Sequence, residues 1–296
     1  MNPNFSIIII GFNSLTTLKE LLPSIKQLNI NNIKLDVIYV DDGSQDDSYE
    51  YFQSYKFPFT TIPIQLESNK GRVHATNVGI QHATGDWLIF IQSNMIVTSN
   101  FLQHYAKAIQ TKKNLIFTGT IKYQSPDFVF EEYLNHSNRG INGYQKFDAV
   151  HYSHLLFGNC IINKTIFEQI KLNLQLETYG GEELDFAYQI IQKFPNSILA
   201  YPEAQVIRIQ FPRLTTHCLR LEEYGGGNLS MLSPVLQKQV IKFPKLFLNI
   251  PYSLQWIISF CYYLGKRIYK MPYFSHKIIK LVLGLAILKG YYNTTK

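Results

Sequence analysis

A mostly parallel α/β sheet flanked by helices is the fold this sequence predicts, on three observations. Across residues 7–91, short apolar runs alternate with stretches of helical spacing, the order in which parallel strands and crossover helices follow one another. Each run is short and ends in a polar turn, as a strand buried on both faces does. The chain is 46% hydrophobic and 17% charged over 296 residues. That composition supplies a large core and excludes disorder, collagen and a disulfide-stapled miniprotein.

The elements follow in order. Four isoleucines, residues 7–10, end in Gly11 and form the first buried strand. Leu15, Leu18, Leu21, Leu22 and Ile25 then recur at helical spacing, with Ser14 or Thr16 placed to cap the start and Pro23 placed to kink or end the helix. Residues 37–40 make a second strand that stops at the turn Asp41-Asp42-Gly43-Ser44. A helix over 46–52, a strand over 61–66, a helix over 73–82 and a strand over 87–91 complete the alternation. Ligands of such sheets bind beyond the carboxyl ends of the strands. The loops after Ile10, Val40, Leu66 and Ile91 are therefore where chemistry is expected.

Charge is divided unevenly along the chain. Residues 1–223 hold 18 of the 28 basic and all 21 acidic side chains, a net of −3, whereas 224–296 hold the other 10 basic residues and no acid. A reader of the phosphate backbone carries cations across its working face, so no nucleic-acid partner is expected; the tail alone is suited to an anionic surface. Cys160, Cys218 and Cys261 lie far apart without a C-x-x-C pair, which suggests neither disulfides nor zinc and fits a reducing compartment. Met1 to Phe5 lacks a basic n-region, and the apolar run 7–10 is too short for a signal peptide. A cytoplasmic protein, peripheral at the inner face of the cytoplasmic membrane, is the expectation.

Asp41 and Asp42 stand at a strand end, where carboxylates can accept hydrogen bonds from a base N–H or ribose hydroxyls; alone, the pair is equally an ordinary Asp-Gly turn. Asn69-Lys70-Gly71-Arg72 offers a glycine for close approach between two cations suited to a diphosphate, and is equally a solvated turn. Their order is more specific. The chain reads Ser6-Ile-Ile-Ile-Ile-Gly-Phe-Asn13, Val40-Asp-Asp-Gly-Ser-Gln-Asp46, Asn69-Lys-Gly71, Asn77-Val-Gly-Ile80, Ala83-Thr-Gly-Asp86 and Ile89-Phe-Ile91. This resembles the family 2 inverting glycosyltransferases with the GT-A fold, over roughly residues 5–225.

The resemblance implies a GT-A-like, Rossmann-like domain over 1–224, its nucleotide-sugar half about 1–95 and its acceptor half about 96–224, followed by a basic, apolar helical appendage over 225–296. It implies a nucleotide-diphosphate sugar donor, most often a UDP-sugar, and a glycan or lipid-linked acceptor. Phe12 and Asn13 would lie beside the nucleotide, Asp41 would meet the base, and Arg72 would approach the nucleotide or its diphosphate. Gly158-Asn-Cys-Ile-Ile162 resembles the segment before the family's acceptor helix, and Tyr179-Gly-Gly-Glu-Glu-Leu-Asp185 its G-G-E-D motif. Glu183 aligns with the general base, as Glu rather than Asp, with Glu182 its rival at the start of a helix over 183–192. Both are also the residues a plain helix N-terminus favours.

Two departures coincide. Where the family carries Asp-x-Asp for a divalent metal, this chain has Gln92-Ser93-Asn94, whose amides compete poorly with water for Mg or Mn. Where the family commonly supplies a histidine, the segment 206–212 carries Arg208 and Gln210. No metal ligand is assigned, although a divalent Mg or Mn ion stays open as a cofactor. Either Arg208, with Arg72 or Lys70, replaces the metal at the departing diphosphate, or the chain is a degenerate glycosyltransferase that binds nucleotide, glycan or a partner protein without catalysis. A sugar nucleotidyltransferase is a third class, but it would carry more glycines after the first strand than Gly11. His217 is a candidate displaced phosphate ligand. Phe128, Phe130 and Tyr133, within 124–142, are candidates for an acceptor-side lid, and His151 and His154 fit a surface or core role.

In the tail, residues 246–265 are uncharged and long enough to span a bilayer. Asn249, Pro251, Ser253, Gln255 and Ser259 argue against spanning. With Lys266, Arg267, Lys270, Lys277 and Lys280 before the apolar run 281–288, an in-plane anchor on anionic lipid is expected. A helical appendage packed on the body or in a dimer interface is the alternative.

Overall fold

The computed structural model describes residues 2–241, 255–271 and 275–294. The isoleucine run widens into β1 (Asn4–Gly11), followed by β2 (Lys34–Asp41), β3 (Thr60–Gln65), β4 (Trp87–Gln92), β5 (Met95–Val97), β6 (Ile116–Tyr123), β7 (Cys160–Asn163) and β8 (Ile198–Arg208). Between and after them run α1 (Leu15–Lys26), α2 (Ser48–Ser54), α3 (Arg72–His82), α4 (Phe101–Thr111), α5 (Phe128–Asn135), α6 (Thr165–Gln169), α7 (Glu182–Lys193), α8 (Leu214–Gly226), α9 (Pro234–Val240), α10 (Trp256–Ile268) and α11 (Ser275–Thr294). The chain divides into two compact units: Met1–Gln124 with Ser137–Leu174 and Phe186–Gln210, and Ser125–His136 with Gln175–Asp185 and Phe211–Lys296.

The first unit is built on one sheet of order β3-β2-β1-β4-β7-β6-β8-β5. Strands β3, β2, β1 and β4 are parallel; β7 runs against β4 and β6, β8 runs with β6, and β5 runs against β8. The sheet is thus mostly parallel, as expected. Residues Gln92 and Met95 bound a gap the chain crosses in at most about 11 Å. Four steps across a flat sheet take about 19 Å, so the sheet curls to bring β5 back toward β4. Both faces of β1 are covered: Ile7 and Ile9 pack in the cluster with Leu18, Leu21, Leu22 and Ile25 of α1, while a Cβ on Gly79 of α3 would lie 2.6 Å from Ile8.

Pro23 neither ends nor shortens α1, which runs to Lys26. Four fully buried aliphatic side chains on its inner face, at about 1.5–3 kcal/mol each, outweigh the roughly 3 kcal/mol an interior proline costs. The cap differs from expectation too. Ser14 makes no side-chain cap; its Oγ pairs with Tyr39 Oη at 3.0 Å. The N-terminus is held instead from the segment between β2 and α2, where Ser48 Oγ, at the start of α2, accepts from Ser14 N–H (2.9 Å) and Asp46 Oδ2 from Leu15 N–H (3.1 Å).

The second unit contains the C-terminal helices. Asp127, buried, accepts from Phe130 N–H in α5 (3.4 Å), Leu214 N–H at the start of α8 (3.2 Å) and Tyr269 Oη after α10 (2.6 Å). Glu222 of α8 takes the Tyr262 hydroxyl at 2.5 Å and the Lys289 ammonium. Helices α8 and α11 meet backbone to backbone: a Cβ on Gly225 would overlap the Ile287 carbonyl, and one on Gly290 the Glu222 carbonyl. The apolar run 281–288 is consumed here, with Val282, Leu285, Ala286 and Leu288 buried. Compactness therefore divides the chain differently from charge, since Gly225 and Gly226 close α8 and residues 211–296 fall in one unit. Of the uncharged stretch 246–265, residues 246–254 lie outside the described residues. Among the described residues, no helix is long and apolar enough to cross a membrane.

Candidate active site

Parallel register sets the first half of the site. Gly11 lies opposite Asp41, and Ile10 opposite Gln92, so the turns carrying Phe12-Asn13, Asp41-Asp42 and Gln92-Ser93-Asn94 leave the same edge of the sheet. The loop after β3 joins them, because Leu66 N–H donates to Asp41 O at 2.9 Å. Asn13, at φ 48°, ties the first turn to the second: its N–H donates to Ser44 Oγ (2.7 Å) and its Oδ1 accepts from Gln45 N–H (2.8 Å). Phe12 beside it is 48% exposed, an aromatic face presented to solvent at the mouth of these loops.

The two aspartates are spent on shaping the loops. Asp41 is fully buried and accepts from Ser44 N–H (3.0 Å), Ser44 Oγ and Tyr39 Oη (3.3 Å). Direct contact with a base, expected from the sequence, thus meets a carboxylate already surrounded by its own chain's donors. Asp42 Oδ1 accepts from Lys70 N–H at 2.8 Å; burial pushes this carboxyl up, opposed by the backbone N–H groups of Lys70 and Gly71. Gly43, at φ 73°, lets the turn press on the next loop, for any Cβ there would overlap the Ser68 main chain. Gly71 (φ 87°) precedes α3, so Lys70 and Arg72 flank a helix N-terminus, Lys70 exposed and Arg72 half-buried. A helix N-terminus with adjoining cations suits an anion.

The second cationic element arrives through β8. Met95 pairs with Arg208, Ile209 N–H donates to Asn94 O at 2.9 Å, and Asn94 Nδ2 reaches Ile209 O at 3.4 Å. Arg208 therefore stands beside the Gln92-Ser93-Asn94 turn across an antiparallel ladder, and all four residues are partly accessible. The donor set around this turn is two neutral amides and a guanidinium, which does not fit a divalent cation. Among the described residues, no three His, Cys, Asp or Glu side chains are grouped to hold a metal.

In the second unit, Gly180 (φ 85°) and Gly181 (φ 92°) lead into α7, whose first turn holds Glu182, Glu183 and Asp185. Glu182 is buried and Glu183 partly exposed. The helix N-terminus stabilises acids in this turn. The approach loop is clamped by Asn228, which no sequence motif marks. Its Oδ1 accepts from Thr178 N–H (3.1 Å) and Oγ1 (2.9 Å), and its Nδ2 donates to the carbonyls of Thr178 and Gly180, both at 2.7 Å. The Tyr224 ring lies over Gly180 and Gly181. Nothing in the run Gly225-Gly226-Gly227-Asn228 signals this role, because the partners of Asn228 lie some fifty residues upstream.

Other candidates resolve as structure. His217 packs its ring between Phe130 and Phe211. Phe130 and Tyr133 are buried whereas Phe128 is 70% exposed, so only the last is placed to meet a ligand. Asn159 is buried and fully used: Oδ1 accepts from Tyr105 Oη (2.6 Å) and Nδ2 donates to the carbonyls of Thr120 (2.9 Å) and Ala204 (2.8 Å).

Comparison with known proteins bears on the family and the fold. The family model described as glycosyl transferase family 2 matches residues 6–171. The chain is 28% identical over 128 residues to the uncharacterized glycosyltransferase YfnE of Bacillus subtilis, covering 43% of this chain and 32% of that one. It is 28% identical over 106 residues to the poly(ribitol-phosphate) beta-N-acetylglucosaminyltransferase TarS of Staphylococcus aureus, covering 36% of this chain and 18% of that one. The chain thus spans about a third of YfnE and less of TarS. Its structure resembles that of S. aureus TarS 1–349 in complex with UDP-GlcNAc, with a TM-score of 0.59, 18% identity, and coverage of 98% of this chain and 89% of that one. That likeness extends the shared fold through the C-terminal helices.

Proposed function

The chain belongs to glycosyl transferase family 2, and from that premise we propose that it transfers a hexose or N-acetylhexosamine from a nucleotide-diphosphate sugar, a UDP-sugar, to a glycan or lipid-linked acceptor with inversion. The observation that carries this reading is the convergence of the Phe12-Asn13, Asp41-Asp42 and Gln92-Asn94 turns and the Lys70-Arg72 loop at one sheet edge. The name and bound donor of TarS support the donor class. The base and ribose lie against Phe12 and Asn13, with Asp41 and Asp42 holding these loops from within. Glu183, with Glu182 as the alternative, takes the acceptor proton while the acceptor oxygen bonds to the anomeric carbon and the bond to the diphosphate breaks. The electron pair of that bond leaves with the nucleotide.

The leaving diphosphate needs positive charge, and the Gln92-Ser93-Asn94 turn supplies none. Arg208 beside it, with Lys70 or Arg72, takes that role, so transfer runs without a divalent metal. Loss of the same carboxylates also favours a second reading, a degenerate member that binds nucleotide or glycan without transfer. A screen of nucleotide sugars for hydrolysis and transfer, each with and without manganese, separates them: metal-independent turnover supports the first, and UDP binding without turnover of any donor supports the second. The proposal includes a peripheral position at the inner face of the cytoplasmic membrane, motivated by a tail without acids.

A further inference from the structure

Helix α10 is apolar on both sides. Ile258, Tyr262, Gly265 and Tyr269 are buried, and a Cβ on Gly265 would touch Val282 of α11 at 2.5 Å. On the opposite face Trp256, Phe260, Tyr263 and Leu264 are 62%, 58%, 52% and 45% exposed. Their spacing places them in one stripe, where a helix facing only water carries polar residues. Arg267 in the last turn and Lys270 just past the end of the helix, both exposed, continue that stripe.

We infer that this outer face of α10 is a docking surface for an anionic lipid bilayer. Aromatic side chains with flanking cations match the chemistry of the headgroup boundary, where rings enter the apolar edge and cations meet phosphates. Charge selects lipid over a second copy of the chain. The face carries Arg267 and Lys270, and residues 224–296, with 10 basic residues and no carboxylate, offer the same face of a second copy like charge and no partner for these cations. The apolar run 281–288, which the sequence offered as part of an anchor, is used internally by α11, so binding concentrates on α10. This deepens the peripheral reading above and stands apart from the donor chemistry, because vesicle binding needs no sugar nucleotide.

The test is co-sedimentation of the full chain with phosphatidylglycerol/phosphatidylcholine vesicles and with phosphatidylcholine alone, at low and high salt. Trp256 emission, read in a Trp87→Phe background, reports insertion. Binding to the anionic vesicles with a blue shift of Trp256 is expected. At roughly fivefold per cation, R267Q/K270Q weakens binding about 25-fold, and W256S/F260S abolishes the residual binding at high salt. These positions are exposed, so thermal unfolding of both variants stays at the parent value. Absence of binding to anionic vesicles overturns the proposal, as does parental binding by both double variants. A concentration-dependent dimer lost in W256S/F260S would instead assign the face to a second copy.

Discussion

Replacing Asn228 tests whether the loop ahead of the candidate base is held as described. The side chain is buried and makes four hydrogen bonds to Thr178 and Gly180. Asn228→Ala removes all four, at about 0.5–1 kcal/mol each net; because Thr178 is exposed and water reaches its groups, the lower end applies, about 2 kcal/mol. Asn228→Asp is isosteric but places a carboxylate oxygen where two carbonyls at 2.7 Å now receive N–H donors. At neutral pH it is expected to be worse than alanine, reversing the order that size alone predicts. Urea unfolding followed by circular dichroism gives the stabilities, and hydrogen exchange at residues 178–183 shows whether the loss is local. An Asn228→Ala loss under about 0.5 kcal/mol, or an aspartate variant as stable as the parent, refutes the clamp.

Three further outcomes follow from the packing. Gly43→Ala, at φ 73° and against the Ser68 main chain, costs about 1–2 kcal/mol in backbone strain alone and separates the loops after β2 and β3; nucleotide binding by calorimetry weakens while the helices of the second unit keep their exchange protection. Gly225→Ala, whose methyl overlaps the Ile287 carbonyl, pushes α11 from α8, so limited proteolysis releases a C-terminal fragment that the parent retains. Cys160 and Cys218 are buried, and burial pushes the Cys218 thiol up to about 12. Native labelling with maleimide near neutral pH is therefore expected to modify Cys261 alone, and mass spectrometry showing Cys218 labelled in the folded protein would contradict that packing.

Much of the N-terminal part of the sheet was legible because its signals are local. Buried strands read as isoleucine and valine runs, and their terminal turns carry the polar residues that define the edge. The juxtaposition of Arg208 with Gln92-Ser93-Asn94 was anticipated only through the resemblance; its physical basis is the register of β5 on β8, which joins residues over a hundred positions apart. Pro23 does not end α1, because local propensity leaves out the four buried side chains that hold the helix together. The cap of α1 was not legible because its acceptors, Asp46 before α2 and Ser48 at its start, lie some thirty residues away. Asn228 was invisible for the same reason: a lone asparagine after three glycines gives no hint that its partners are Thr178 and Gly180.

The central claim is that a guanidinium stands in for the metal at the departing diphosphate. The most direct measurement is turnover of the accepted UDP-sugar by the full chain in EDTA and in manganese, for the parent and for Arg208→Ala. Equal parental rates in the two conditions are predicted, with a fall of about 10²–10³ for Arg208→Ala that manganese does not restore. Parental turnover that collapses in EDTA and returns with manganese, or an Arg208→Ala rate equal to the parent's, would contradict it.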